Sequence, residues 1–337
     1  MINNLSVQGE QHFDEYIMVA PGSDYGRAMW SDIGCLENAQ LLDSAMDSEN
    51  KLLRAAHHAH FSFGVNRRIQ LPFQNMWKKY YSLEKVCIRP ERRYCIIFTD
   101  ISAGRTDAEY LKNLSAKPNV SLVMILVNTM ARMEGILRSR FPYFDKVFTF
   151  DNKDAEKYGF IHHGQNYSVT SCKRGCSVKF DAFFVGVAKE RLKTLTAIYA
   201  HIKRNGGSAA FFISGVKKNL VKNNGIRYNH WVEYKDVLKY IAHSNCIVEV
   251  VDDNQEGMTL RAMEAICYNK RLLTNNKAVE NSPFYKSGFI KVFSSVKDID
   301  MDFVKDRSPV DYHYNNEFSP IHFIEHINQE FLSGEKI

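Results

Sequence analysis

Val248-Glu249-Val250-Val251-Asp252-Asp253-Asn254 runs directly into Gln255-Glu256-Gly257-Met258-Thr259-Leu260-Arg261-Ala262-Met263-Glu264. The β-branched apolar run reads as a buried strand and the acidic, polar residues after it as a loop. Residues 256–268 read as a helix. Strand, loop and helix in that order make one step of a parallel α/β layer, whose ligands gather at the carboxyl ends of the strands. The step suits a phosphate. A helix amino terminus offers N–H groups and partial positive charge, and Gly257 lets the backbone approach a ligand closely. Thr259 brings a hydroxyl and Arg261 a cation. Glu256 and Glu264 lie eight residues apart, about two helical turns, so both project along one side. A carboxylate as deep as Glu264 needs a partner, either a ribose diol or a neighbouring Arg261 or Arg271.

The alternation continues outward in both directions. Residues 180–186 read as a strand meeting a glycine turn at Gly186. Residues 189–204 follow as a helix with Leu192, Leu195, Ile198, Tyr199 and Ile202 on one face. Residues 209–214 and 271–274 read as strands, and 235–243 as a helix. In the first half, strands are expected at 16–20, 94–99, 120–127 and 146–150, with helices at 130–140 and 151–159. Periodicity lapses over 161–179, which reads as a linker. The pattern predicts two doubly wound α/β domains, 1–170 and 180–315, facing a shared cleft. A final segment, 316–337, carries a helix expected to pack back on the first domain.

A chain of 337 residues with 45% hydrophobic and 24% charged residues is long enough for two cores. The formal charge of +6 favours anionic partners such as phosphates, nucleotides or an acidic bilayer, without the clustered basic stripe of a nucleic-acid binder. Seventeen Tyr and 22 Phe supply core packing and suit sugar-stacking surfaces. No apolar run reaches the roughly 18–20 residues of a membrane span. Residues 1–15 lack the features of a signal peptide, so a cytoplasmic protein is expected. Seven scattered cysteines fit reduced thiols, and Cys172 and Cys176 lack zinc-knuckle spacing.

Three stretches together carry a family resemblance. They are Phe183-Phe184-Val185-Gly186 with Lys189 and Arg191; residues 237–250; and residues 255–264 with Lys270-Arg271-Leu272-Leu273-Thr274-Asn275-Asn276 and Pro283-Phe284-Tyr285. With them the second half resembles the donor domain of GT-B glycosyltransferases, in particular small bacterial enzymes of lipopolysaccharide, O-antigen or capsule assembly. The resemblance implies retaining transfer from a nucleotide diphosphate sugar. A cationic pair with helix N–H groups can stabilise the leaving phosphate without a metal. No Asp-x-Asp segment is read that would argue for a divalent cation, and no cofactor is expected. The resemblance puts Glu256 at the donor sugar and phosphates, Glu264 at the nucleotide ribose, and Lys189 or Arg191 at the diphosphate. Gly186, Gln255, Gly257, Met258, Thr259 and Arg261 complete the implied donor site. Asp252-Asp253 reads as a solvated loop pair. A nucleotide-sugar epimerase, or a non-catalytic module binding glycan or nucleotide, are the alternatives on the same fold.

In such enzymes the first domain receives the acceptor, here a glycan or a lipid-linked one. The loop Gly22-Ser23-Asp24-Tyr25-Gly26-Arg27 follows the first strand, where that site would open. Asp24 is the candidate to orient or deprotonate an acceptor hydroxyl, and Gly22 and Arg27 the candidates to hold a phosphate. His57-His58-Ala59-His60 lacks companion ligands for a metal, and His58 is assigned to the cleft as a third catalytic candidate beside Glu256 and Asp24. Arg132, Arg138 and Arg140, with Trp77-Lys78-Lys79-Tyr80-Tyr81, are expected to touch an anionic membrane peripherally.

Overall fold

The computed structural model describes residues 7–170, 177–251 and 257–334. Asp252, Asp253, Asn254, Gln255 and Glu256 therefore lie outside the described residues, as do Cys172 and Cys176. The chain forms two compact units. The first ends at Val169 and takes back the chain from Phe318, while Thr170–Glu317 form the second.

The first unit is a six-stranded sheet in which every pairing is parallel. Its strands are β1 (Glu15–Val19), β2 (Ala39–Leu42), β3 (Tyr94–Thr99), β4 (Val120–Leu126), β5 (Lys146–Thr149) and β6 (Ile161–His162), in the order β2-β1-β3-β4-β5-β6. All six residues of β3 are buried, as expected where helices cover both faces. The helices are α1 (Asp24–Met29), α2 (Lys51–His60), α3 (Phe63–Asn66), α4 (Asp100–Gly104), α5 (Ala108–Ser115), α6 (Met130–Leu137) and α7 (Asn152–Tyr158). Asp151 caps the start of α7, and Gly159 ends it in the left-handed conformation. The expected linker is shorter than its composition suggests. Residues 161–162 complete the sheet as β6, and Ser168 bonds to the Met29 carbonyl of the first unit.

The second unit is also a six-stranded parallel sheet: β7 (Phe180–Val187), β8 (Ala209–Ser214), β9 (Arg227–Tyr228), β10 (Ser244–Glu249), β11 (Arg271–Thr274) and β12 (Ile290–Val292). The spatial order β12-β11-β10-β7-β8-β9 reverses direction between β7 and β10. A doubly wound sheet binds its ligands at the carboxyl ends of the strands flanking such a reversal. Four helices pack here: α8 (Leu192–Arg204), α9 (Tyr234–Ala242), α10 (Leu260–Cys267) and α11 (Met301–Lys305).

The last helix, α12 (Pro320–Leu332), belongs to the first unit. Ile321, Phe323, Ile324 and Ile327 are fully buried, with the Phe323 ring 5.0 Å from Phe148 on β5. Asn328 accepts from the Tyr16 hydroxyl at 2.7 Å and the His12 N–H at 2.8 Å, so its carbonyl satisfies two donors of the opening segment. No helix among the described residues is long and apolar enough to cross a membrane.

Candidate functional site

Polar chemistry in the second unit collects at the carboxyl ends of β7, β10 and β11, at the reversal of strand order. Glu249 ends β10 and is almost wholly buried. Its two oxygens accept hydroxyl hydrogen bonds from Thr259 and Thr274. Burial pushes its pKa up, opposed by those two hydroxyls and then by Arg261 and Arg191. Thr259 is also the N-cap of α10, where its oxygen accepts from the Arg261 N–H at 3.1 Å. Thr274 ends β11 and accepts from the Asn276 N–H at 2.9 Å.

The strand and the helix of the quoted step are thus present, with one correction. The helix begins at Leu260 rather than Glu256, because Thr259 caps it and Gly257 sits in left-handed backbone at φ 84°. The N–H groups of the first turn consequently belong to residues after Thr259. Gly257 and Met258 precede the helix. The side chains of Asn275 and Asn276 secure the residues on either side of 252–256. Asn275 bonds both the N–H and the carbonyl of Val251, at 2.7 and 3.1 Å, and Asn276 donates to the Gly257 carbonyl at 2.9 Å.

Glu264 has no exposed surface, and both its oxygens are engaged. Arg261 forms an ion pair with one, and the Tyr234 hydroxyl donates to the other at 3.0 Å. Burial still raises the pKa of this carboxyl, with Arg261 the main opposing influence. Of the arginines open to Glu264 in the sequence, it takes Arg261. Arg271 is committed elsewhere, to Asp306 and Ser308.

Arg191 spans the reversal itself. Its guanidinium donates to the Val250 carbonyl after β10 and, at 2.6 Å, to the Val187 carbonyl ending β7. Such bonds stitch two adjacent strand ends together. Lys189 is exposed and stands in the strand-to-helix turn at φ 42°, a conformation that non-glycine residues seldom adopt. Gly186 is not the turn residue. It lies within β7, paired with Ile213, and the strand continues to Val187.

The first-unit candidates are more dispersed. Gly22 adopts φ 79°, and a Cβ there would stand 2.9 Å from the Ser44 hydroxyl, so the turn after β1 requires glycine. Ser23 caps α1, and Asp24 is its exposed first residue. Arg27 pairs with Asp43 at 2.9 Å, both exposed, which competes with the phosphate-holding role expected of it. The three histidines separate. His57 is buried against the Arg105 carbonyl, and its pKa falls to about 4, mainly through burial. His60 accepts from the Trp77 indole and donates to the Pro72 carbonyl at 2.8 Å. His58 is exposed on α2, its pKa lowered by partial desolvation and by Arg105 and Arg54.

Two acidic features carried no signal when the sequence was read. Asp100, fully buried at the carboxyl end of β3, accepts from the N–H groups of Ile101, Val127 and Asn128 and from the Asn128 amide. Burial pushes its pKa up to about 6. Asp298-Ile299-Asp300 is an Asp-x-Asp segment, contrary to the expectation of none, but its carboxylates serve as caps. Asp298 closes a capping box with Ser295, and Asp300 caps α11. Among the described residues no group of three His, Cys, Asp or Glu is arranged to hold a metal ion.

The membrane expectation needs revision too. Trp77, Tyr81 and Arg140 are buried, whereas Lys78, Lys79, Arg132 and Arg138 are exposed. Arg140 spends its donors inside, on the Thr106 and Ile136 carbonyls and on Gln74.

No family model and no curated protein matches the chain. Solved structures do. The S. aureus MnaA-UDP co-structure aligns over 96% of this chain and 98% of its own, at 11% identity and a TM-score of 0.50. UDP-GlcNAc 2-epimerase of Methanocaldococcus jannaschii, in complex with UDP-GlcNAc and UDP, aligns over 95% of this chain and 99% of its own, at 12% identity and 0.48. T4 phage BGT in complex with its UDP-glucose substrate aligns over 95% of each chain at 9% identity and 0.46. Two doubly wound six-stranded parallel sheets and the likeness to MnaA define the fold as GT-B.

Proposed function

We propose that this GT-B protein is a glycosyltransferase. It moves a sugar from a nucleotide diphosphate sugar to a glycan or lipid-linked acceptor in bacterial surface polysaccharide assembly, with retention and without a metal. The observation that carries the reading is the cluster at the strand reversal of the second unit. There Arg191 ties β7 to β10, and Glu249 ties β10 to the amino terminus of α10. The bacterial polysaccharide role and the stereochemical outcome rest on the resemblance of residues 183–191, 237–250 and 255–285.

Leaving-group departure places negative charge on the nucleotide diphosphate. Preorganised donors stabilise such charge without reorganising at the moment of reaction. In this reading Lys189 and the first-turn N–H groups of α10 take the phosphates. Glu264 acts through Arg261, which it holds beside the helix start. Glu256 stands at the donor sugar, and Asp24 with His58 serves the acceptor hydroxyl.

The test is a thermal-shift screen of nucleoside diphosphates and their sugars. A true donor in roughly hundredfold excess over Kd stabilises the fold by about 2.7 kcal/mol. Glu264→Ala should abolish that shift in folded protein and Lys189→Ala should reduce it, and unchanged affinity in both sinks the site assignment. Incubating the best donor alone, with NMR analysis of the product, separates a transferase from an epimerase. Isomerised free donor supports the latter. Loss of transfer in excess EDTA contradicts the metal-free reading.

A further inference from the structure

Between Asn50 and Leu83 the chain has no Asp or Glu, while Lys51, Arg54, Arg67, Arg68, Lys78 and Lys79 give it six formal positive charges. That equals the net charge of the whole chain, +6, concentrated in about a tenth of its length. The same stretch exposes large apolar side chains. Phe73 is 78% exposed, Ile69 71% and Met76 58%. Single exposed apolar residues are ordinary, but three within eight residues on one loop are not.

The loop is built to hold them out. Asn66, buried at the end of α3, donates to the His60 and Ser62 carbonyls at 2.8 and 3.0 Å. Its oxygen accepts from the Leu71 N–H at 3.0 Å and the Gln74 amide at 2.8 Å. Gln74 is braced in turn by buried Arg140, and His60 fixes the Pro72 carbonyl. On its inner side the loop is therefore a saturated hydrogen-bond network. On its outer side Phe73 occupies left-handed backbone at φ 63°. A bulky aromatic residue pays for that conformation, and burial of its ring does not repay it here.

We propose that the loop 67–79 docks the first unit on an anionic membrane surface. Ile69, Phe73 and Met76 enter the interfacial region, and Arg67, Arg68, Lys78 and Lys79 meet the phosphate headgroups. Cations flanking apolar side chains are the two components of interfacial binding. With no carboxylate between residues 50 and 83 the patch carries one sign of charge, which matches an anionic lipid surface. Helix α6 adjoins the loop, since a Cβ on Gly135 would stand 2.7 Å from the Arg67 carbonyl; it carries exposed Arg132, and exposed Arg138 follows at its end.

The experiment is co-sedimentation of the full chain with phosphatidylcholine vesicles, with and without phosphatidylglycerol, and needs no transferase activity. Failure of docking thus leaves the catalytic reading untouched, and the converse also holds. The protein should pellet with phosphatidylglycerol vesicles only, and less so as salt rises. Phe73→Gly relieves the left-handed strain, so its Tm should hold or rise while vesicle binding falls several-fold. Arg67→Gln with Arg68→Gln should lower binding roughly tenfold or more. Absence of binding to phosphatidylglycerol vesicles overturns the proposal, as does Phe73→Gly or the double arginine variant binding like the parent. A dimer that Phe73→Gly dissociates, without vesicle binding, assigns the patch to protein contact instead.

Discussion

Thr259 caps helix α10 with the same hydroxyl that it donates to Glu249 at the end of β10. One side chain therefore sets both where the helix begins and how a buried carboxylate is satisfied. Thr259→Val removes the cap, worth about 1 kcal/mol, and leaves Glu249 short of a donor, worth about 1–3 kcal/mol. Urea unfolding should show a loss of roughly 2–4 kcal/mol at unchanged slope, largely recovered in Thr259→Ser. A loss below about 1 kcal/mol would mean that water replaces the hydroxyl.

Asp100 makes the first unit sensitive to pH in a defined direction. Its folded pKa, about 6, lies above the ordinary 3.8 because it is buried. The folded state therefore binds this proton more tightly, and the associated stability is complete below pH 3.8 and lost as pH rises to about 6. The difference is worth about 3 kcal/mol. Asp100→Asn should flatten that part of the profile of unfolding free energy against pH, and an unchanged slope would refute the assignment.

His57 and His163 work in the opposite sense. Burial lowers each to about 4 from 6.5, so the unfolded chain takes up these protons first. Their contribution is complete above pH 6.5 and falls away toward pH 4. His163 lies 3.0 Å from His326 of α12, nitrogen to nitrogen, so acid also loosens the docking of that helix. In His163→Gln the acid limb should be shallower than in the parent, measured by denaturant titration at several pH values.

Arg191 and Lys189, interchangeable on paper, should separate by measurement. Arg191→Lys loses a two-pronged grip on the Val187 and Val250 carbonyls and should cost about 1–3 kcal/mol of stability. Lys189→Gly relieves a strained φ of 42° and should leave Tm level or higher. Calorimetry with nucleoside diphosphates should nevertheless show the larger affinity loss in Lys189→Gly, about tenfold. The reverse ranking would return the diphosphate to Arg191.

How much of this was legible depended on length and burial. β1, β3, β4, β7, β8, β10 and β11 lie in apolar runs, because parallel strands covered on both faces need little else. β2, β6, β9 and β12 have two to four residues each, with Ile290 alone among them buried, and such short stretches carry no period. The start of α10 was misplaced although Thr259, directly before an apolar run, has the form of a cap. The acidic loop drew the boundary upstream of it. Glu249 looked like one polar letter in a strand, since its partners stand ten and 25 residues away. Trp77 and Arg140 suggested a surface by residue type alone, yet both are interior supports for the loop that does reach the surface.

The amides of Asn275 and Asn276 have a consequence for how this protein can change. They hold Val251 and Gly257 from the end of a different strand, so both anchor points are set by residues outside the five between them. Exchanging 252–256 for another sequence, or lengthening it, alters the closure entropy only slowly with length and leaves strand, cap and helix bonded as before. The anchors at Val251 and Gly257 thus depend on side chains outside residues 252–256, and changes within that segment leave these bonds in place.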